Sequence, residues 1–189
     1  MLLPIYAFGQ PVLKLIAEPI TAEYPDLQEL LANMWQTMYN ADGVGLAAPQ
    51  VGLSIRLFMI DTLDVERKIE KADTDVGLKQ VFINAQILEE TGAPWVYEEG
   101  CLSIPRVTGD VERQKQIRIQ WQDENFEAHE AVFTGINARV IQHEYDHIEG
   151  QLFTEKLKPI KKRMIQRKLE DIRQGRIKTD YRMKFFNVR

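Results

Sequence analysis

The stretch QHEYDHIEG, Gln142 to Gly150, holds two of the chain's three histidines, four positions apart, with a glutamate directly after the first. Its conformation decides what the segment can do. Upstream, Ile136 and Val140 precede His143 and His147 at spacings of four, three and four, the stripe of one helix face, and no proline interrupts before Pro159. The spacing predicts a helix from Gly135 that turns its histidines inward. Successive helical residues are about 100° apart, which puts His143 and His147 within about 40° of each other and one turn apart in height. Both imidazoles then reach one cation, and Glu144 lies beside it rather than on it, where a proton acceptor for water belongs. The plain alternative is a helix whose histidines take core hydrogen bonds and whose Glu144 is solvated.

Around this helix the periodicities change. Leu27, Leu30, Leu31, Met34 and Met38 recur at helical spacing, so 26 to 40 reads as an amphipathic helix stopped by Asp42-Gly43. Strand-like runs follow at IRLFMID (55 to 61), VFINAQILE (81 to 89), RVTGDVE, KQIRIQWQD and FEAHEAVF, the last three between 106 and 133. The charged segment 62 to 80 between them reads as a long surface excursion. After the histidine helix, Ile160, Met164, Ile165, Leu169 and Ile172 stripe a last helix from Pro159 to Gln174, with Gly175 a natural end. Strands early, helices late and short connections predict an α+β fold, with antiparallel sheets around a central helix and a C-terminal helix.

A chain of 189 residues, 44% hydrophobic and 28% charged, fits one soluble globular domain spanning 1 to 189. The opening MLLPIYAFGQ lacks a basic leader and is interrupted by Pro4, and no apolar run approaches the roughly 20 residues of a membrane span. The expectation is a cytoplasmic protein with no membrane partner. A single cysteine, Cys101, suits a reducing compartment and leaves its thiol available. The net charge of -4 conceals an asymmetry: from Lys158 to Arg189 there are 12 Lys or Arg against 3 acids. The basic tail 159 to 189 reads either as a solvated face or as a surface for an acidic partner such as RNA.

Two histidines leave a catalytic metal one protein ligand short of the usual three. Asp146 points to a different face of the helix, and His129 falls in a strand pattern where it is expected to be exposed. Cys101 is the stronger candidate. It lies in YEEGCLSIP, where Gly100 permits close backbone approach and Leu102 and Ile104 argue for burial nearby, although a lone cysteine also serves as a small buried hydrophobe.

Three separated stretches, GVGLAAPQ (43 to 50), EEGCLSIP (98 to 105) and QHEYDH (142 to 147), resemble the signature motifs of the peptide deformylases, in the same order and at compatible separations. The resemblance implies that Cys101, His143 and His147 are metal ligands and Glu144 the catalytic carboxylate. It implies removal of the formyl group from the formyl-methionine that begins new polypeptides, with release of formate. It assigns stabilisation of the negative formyl oxygen to the Gln50 amide and the Leu102 N–H. The resemblance also places an apolar pocket for methionine along Val44, Ile136 and Val140, whose plain alternative is core packing. Gly43 and Gly45, by leaving room for a backbone, suggest an extended peptide paired like an added strand. Ligand softness does not choose among iron(II), zinc, nickel and cobalt; the resemblance implies iron(II) in the cell, with the others possible in purified protein.

The chain departs from the family in its long segment 62 to 80 and in Arg106-Val107 after IP, a pattern with no assignment. Its basic C-terminal helix resembles that of a subgroup whose last helix contacts the ribosome. Two rival readings stay open at this point. One is a zinc peptidase, for which only acidic residues follow as a third ligand; the other is a non-catalytic module with a structural Cys-His-His metal.

Overall fold

A computed structural model describes residues 1–63 and 77–186. In chain order its elements are strand β1 (Ile5–Tyr6), helix α1 (Leu27–Asn40), strands β2 (Gly45–Ala47), β3 (Leu57–Asp61), β4 (Lys79–Cys101), β5 (Ile104–Gln122) and β6 (Ala128–Thr134), helices α2 (Gly135–Ile148) and α3 (Pro159–Arg173), and strand β7 (Met183–Lys184). The fold is α+β, as expected. Strands β2 to β6 form one antiparallel sheet in sequence order. Outside that antiparallel sheet, β1 and β7 form a separate two-stranded pair that runs parallel.

Strand β3 shows why the sheet is built as it is. Leu57 and Met59 point to one face, where they meet Leu31, Met34 and Met38 of α1. Phe58 and Ile60 point to the other, where they meet Ile136, Val140 and Ile141 of α2. With both faces covered, the strand reads as a continuous apolar run rather than an alternation. A third cluster joins Ile104, Val107 and Val111 of β5 to Leu152, Phe153, Leu157 and to Ile165 and Ile172 of α3.

The run at 81–89 is part of a longer strand, and the two runs RVTGDVE and KQIRIQWQD join into one. Strand β4 extends 23 residues and β5 extends 19, and bulges let this hairpin bend. The hairpin turns on only two residues, Leu102 and Ser103, between Cys101 and its partner Ile104. Gly100, one step earlier, pairs with Thr108, so Pro105, Arg106 and Val107 are looped out of register. Arg106 has φ +60°, and the unassigned Arg106-Val107 is therefore a bulge at the hairpin tip. Of the segment 62 to 80, residues 64–76 lie outside the described residues.

Helix α2 runs through the interior. Twelve of its fourteen residues are buried, including Arg139, Gln142, Glu144, Asp146 and His147, so the side chains that look like a solvent face must find partners inside. Ile136, Ile141 and Ile148 anchor it, each burial contributing about 1.5–3 kcal/mol. The helix stops where Gly150 turns the chain at φ +67°, against the carbonyl of Lys14, where a Cβ would have no room.

Candidate active site

Three elements converge on one cleft of about 520 Å³. Helix α2 brings Ile136, Val140, His143 and Glu144, the β4–β5 turn brings Gly100, Cys101 and Leu102, and the segment around β2 brings Val44, Gly45 and Gln50. His147 lies one turn deeper, 1% exposed, with its Nε2 3.3 Å from the Cys101 sulfur. Cys101, His143, Glu144, His147, Gln50, Leu102 and the expected pocket residues Val44, Gly45, Gly100, Ile136 and Val140 thus meet at this place. His129 is exposed, pairing with Asp123 on the far end of the sheet.

The donor set fits a metal ion. One ligand atom each from Cys101, His143 and His147 lies within 4.8 Å of the other two. Tetrahedral bonds of ordinary length would put sulfur about 3.5 Å from each nitrogen, close to the observed Cys101–His147 separation. His147 is held neutral, the form a ligand needs, because burial and then the charges of His143 and Arg113 push its pKa well below the usual value. His143 is the opposite case. Burial works against its charged form, but the Cys101 sulfur and the Glu99 carboxylate outweigh it and raise its pKa well above normal, so an incoming cation displaces a proton there.

A buried ionic network lies behind these three candidate ligands. Glu99 accepts from Nδ1 of His143 at 2.9 Å, which leaves Nε2 facing the cysteine. Arg113 grips Glu99 with two nitrogens at 2.7 and 2.9 Å and reaches Asp146 at 2.7 Å with a third. Arg139 adds a contact to Glu99 at 2.9 Å and donates to the carbonyls of Val111 and Trp95. Burial alone would raise the Glu99 carboxyl, but the hydrogen bonds and charges of Arg113 and His143 overcome it and hold it far below the usual carboxylate range. Asp146, which faces away from the ligand side as expected, is thereby a member of the support rather than a ligand. None of Glu99, Arg113 or Arg139 was picked out from the sequence. The signal was present for Arg113: Val107, Val111, Ile117 and Ile119 alternate inward along β5, and Arg113 occupies a position on that same buried face.

Glu144 is 4% exposed, and its Oε2 has no hydrogen-bond partner among the described residues. Burial, ahead of any neighbouring charge, raises its pKa from 4.5 to about 7, a value suited to accepting and returning protons near neutrality. Gly45 exists for this carboxylate, since a Cβ there would lie 2.4 Å from Oε1 of Glu144. Gly43 makes room for Leu102 in the same way, with a Cβ falling 2.7 Å from Cδ1. Gly100 is different: a Cβ would make only ordinary contacts, so nothing within the chain demands glycine there.

Gln50 is 1% exposed and oriented by its own loop. Its Oε1 accepts from the Ala47 N–H at 2.8 Å, so Nε2 points into the cleft, with only long contacts to Cys101 Sγ at 3.5 Å and Ser103 Oγ at 3.4 Å. Ile136 and Val140 both line the cleft and belong to the main core, at 3% and 8% exposure, so the pocket and core readings hold together. Val44 is exposed at the mouth. The C-terminal segment supplies one wall that the sequence did not suggest: Thr179, Asp180 and Tyr181 also line the cleft. The Tyr181 hydroxyl donates to the Leu102 carbonyl at 2.8 Å, and burial, followed by the charges of Cys101 and Asp180, keeps it protonated.

The chain is similar to known proteins over its whole length. The sequence model of one family, polypeptide deformylase, matches residues 2–163. A peptide deformylase of Christiangramia forsetii is 55% identical, with 100% of this chain and 98% of the relative covered. One of Flavobacterium johnsoniae is 52% identical, over 98% and 96%. Among solved structures, a peptide deformylase from Plasmodium falciparum superposes with a TM-score of 0.80 at 33% identity, covering 90% of this chain and 95% of its own.

Proposed function

The chain belongs to the polypeptide deformylase family, a family of metal-dependent hydrolases, and we propose that Glu144 moves the proton on which its reaction depends. The protein removes the N-formyl group from newly made polypeptides. The observation that carries the assignment of roles is the burial of the Glu144 carboxylate beside three convergent metal-binding atoms.

Cys101, His143 and His147 would hold one divalent ion, iron(II) in the cell by this reading, and it would supply Lewis acidity at the reacting centre. Glu144 takes a proton from the attacking water, whose oxygen forms a bond to the formyl carbon. As the C–N bond breaks, Glu144 returns that proton to the methionine nitrogen, leaving formate and a free amine. Negative charge that develops on the formyl oxygen is met by the Gln50 amide and the Leu102 N–H. Both donors sit on segments fixed before substrate arrives, so they need not reorganise.

The methionine side chain enters between Ile136, Val140 and Val44. The peptide behind it lies along β2, which is an edge strand of the sheet and presents Gly45 to the cleft, with Gly100 opposite. Main-chain pairing of this kind tolerates many sequences. Residues 1 to 189 act as one catalytic domain, placed in the cytoplasm where nascent chains emerge. No helix among the described residues is long and apolar enough to cross a membrane.

The outer face of α3 exposes Arg163, Arg167 and Lys168 beside Ile160 and Met164, and this face contacts ribosomal RNA. Deleting the helix is a poor test, because Ile165 and Ile172 are core residues. Reversing the three exposed charges leaves the core intact and should weaken ribosome binding with a reduced salt slope; unchanged binding at low and moderate salt removes the idea.

A formyl-methionyl peptide incubated with metal-loaded protein should yield equal amounts of formate and free amine. A zinc peptidase would cut internal bonds of a blocked peptide instead, and a purely structural site would release nothing.

A further inference from the structure

The last stretch of the chain returns to the cleft. Helix α3 ends at Arg173, Gly175 reverses direction, and Ile177, Met183 and Phe185 pack on the third core cluster. Strand β7 then pairs with β1, and the backbones are joined further by Ile5 N–H to Arg182 at 2.9 Å and Ala7 N–H to Lys184 at 3.0 Å. Tyr181 lies in the middle of this strap, beyond the residues matched by the family model.

Leu102 is held from both ends. Its side chain presses into the space left by Gly43, and its carbonyl accepts the Tyr181 hydroxyl at 2.8 Å. The next carbonyl, that of Ser103, accepts the Phe8 N–H at 2.8 Å. A residue fixed at its side chain and at its carbonyl has little freedom left in the direction of its N–H.

We propose that Tyr181 is a positioning residue for deformylation, whose hydroxyl anchors the two-residue turn that aims the Leu102 N–H at the formyl oxygen. This rests on the oxyanion role given to Leu102 above. Without the hydroxyl the turn is still formed, but its carbonyl loses the anchor and the N–H samples a wider range of directions. Charge on the formyl oxygen grows only in the transition state, so the loss falls on kcat and leaves KM nearly unchanged.

The test uses the full-length, zinc-loaded Tyr181→Phe protein, which keeps the ring in the wall. With one metal per chain retained, kcat for formate release should fall about 3- to 10-fold with KM within about twofold. Amide hydrogen exchange at Leu102 and Ser103 should accelerate, while that of Met59 and Ile60 in β3 stays as in the parent. Equal kcat in variant and parent overturns the proposal, as does unchanged exchange at the turn or acceleration spread through β3. A parent that releases no formate would instead remove the deformylase reading itself, an outcome separate from a working parent matched by a working variant.

Discussion

Glu99 Oε2 lies 2.9 Å from Nδ1 of His143, so the orientation of one candidate metal ligand on helix α2 depends on a carboxylate 44 positions away on strand β4. That carboxylate is itself held by Arg113 and Arg139. Glu99→Gln keeps the shape but gives up the charge that orients the imidazole. Metal affinity should fall about 10- to 100-fold, read by competition with a chelator. An unchanged affinity would mean that the network only fills space.

Gly45→Ala places a methyl where Oε1 of Glu144 now sits. The carboxylate must move by an ångström or more, and kcat should drop by roughly 10²-fold with metal content unchanged. Full activity in this variant would show that Glu144 has slack that the structure does not suggest.

These two residues mark the limits of what could be read from the sequence. The helix through QHEYDH is legible because periodicity 3.6 is local, and it carries His143, Glu144 and His147 to one place; Cys101 joins them only through the motif resemblance, because its position depends on the β4–β5 turn meeting α2. Glu99 was visible as a neighbour of Cys101, but its partnership with Arg113 and Arg139 is a matter of three elements meeting, and no local pattern encodes that. The strand at 81–89 reads too short, and β5 reads as two separate runs, RVTGDVE and KQIRIQWQD. Gly92, Pro94 and Gly109 look like breakers, whereas a bent antiparallel hairpin absorbs them in bulges and closely packed positions. Tyr181 was out of reach altogether, since its role depends on β7 pairing with β1 across nearly the whole chain.

Gln50→Met removes the side-chain donor without changing volume much. If Gln50 meets the developing charge, kcat should fall by about 10²- to 10³-fold while KM moves little. A rise in KM alone, with kcat preserved, would recast Gln50 as a contact for ground-state substrate.

Glu144 makes the metal-free protein's stability depend on pH. Its pKa rises from 4.5 to about 7 on folding, so the folded state takes up a proton between those values. The group therefore costs nothing below its unfolded pKa, costs progressively more as pH rises to about 7, and levels off above. Glu144→Gln should stabilise the metal-free protein by about 3 kcal/mol at pH 8 and about 1.5 kcal/mol at pH 5.5, measured by urea unfolding. A difference independent of pH would contradict this source for it.

The most direct test of the account is formate release from a formyl-methionyl peptide by the parent and by Glu144→Gln, with metal quantified in both. The account predicts one metal per chain in each protein and a rate lower by about 10³-fold or more in the variant. A variant that keeps its metal and works at the parent's rate would contradict it.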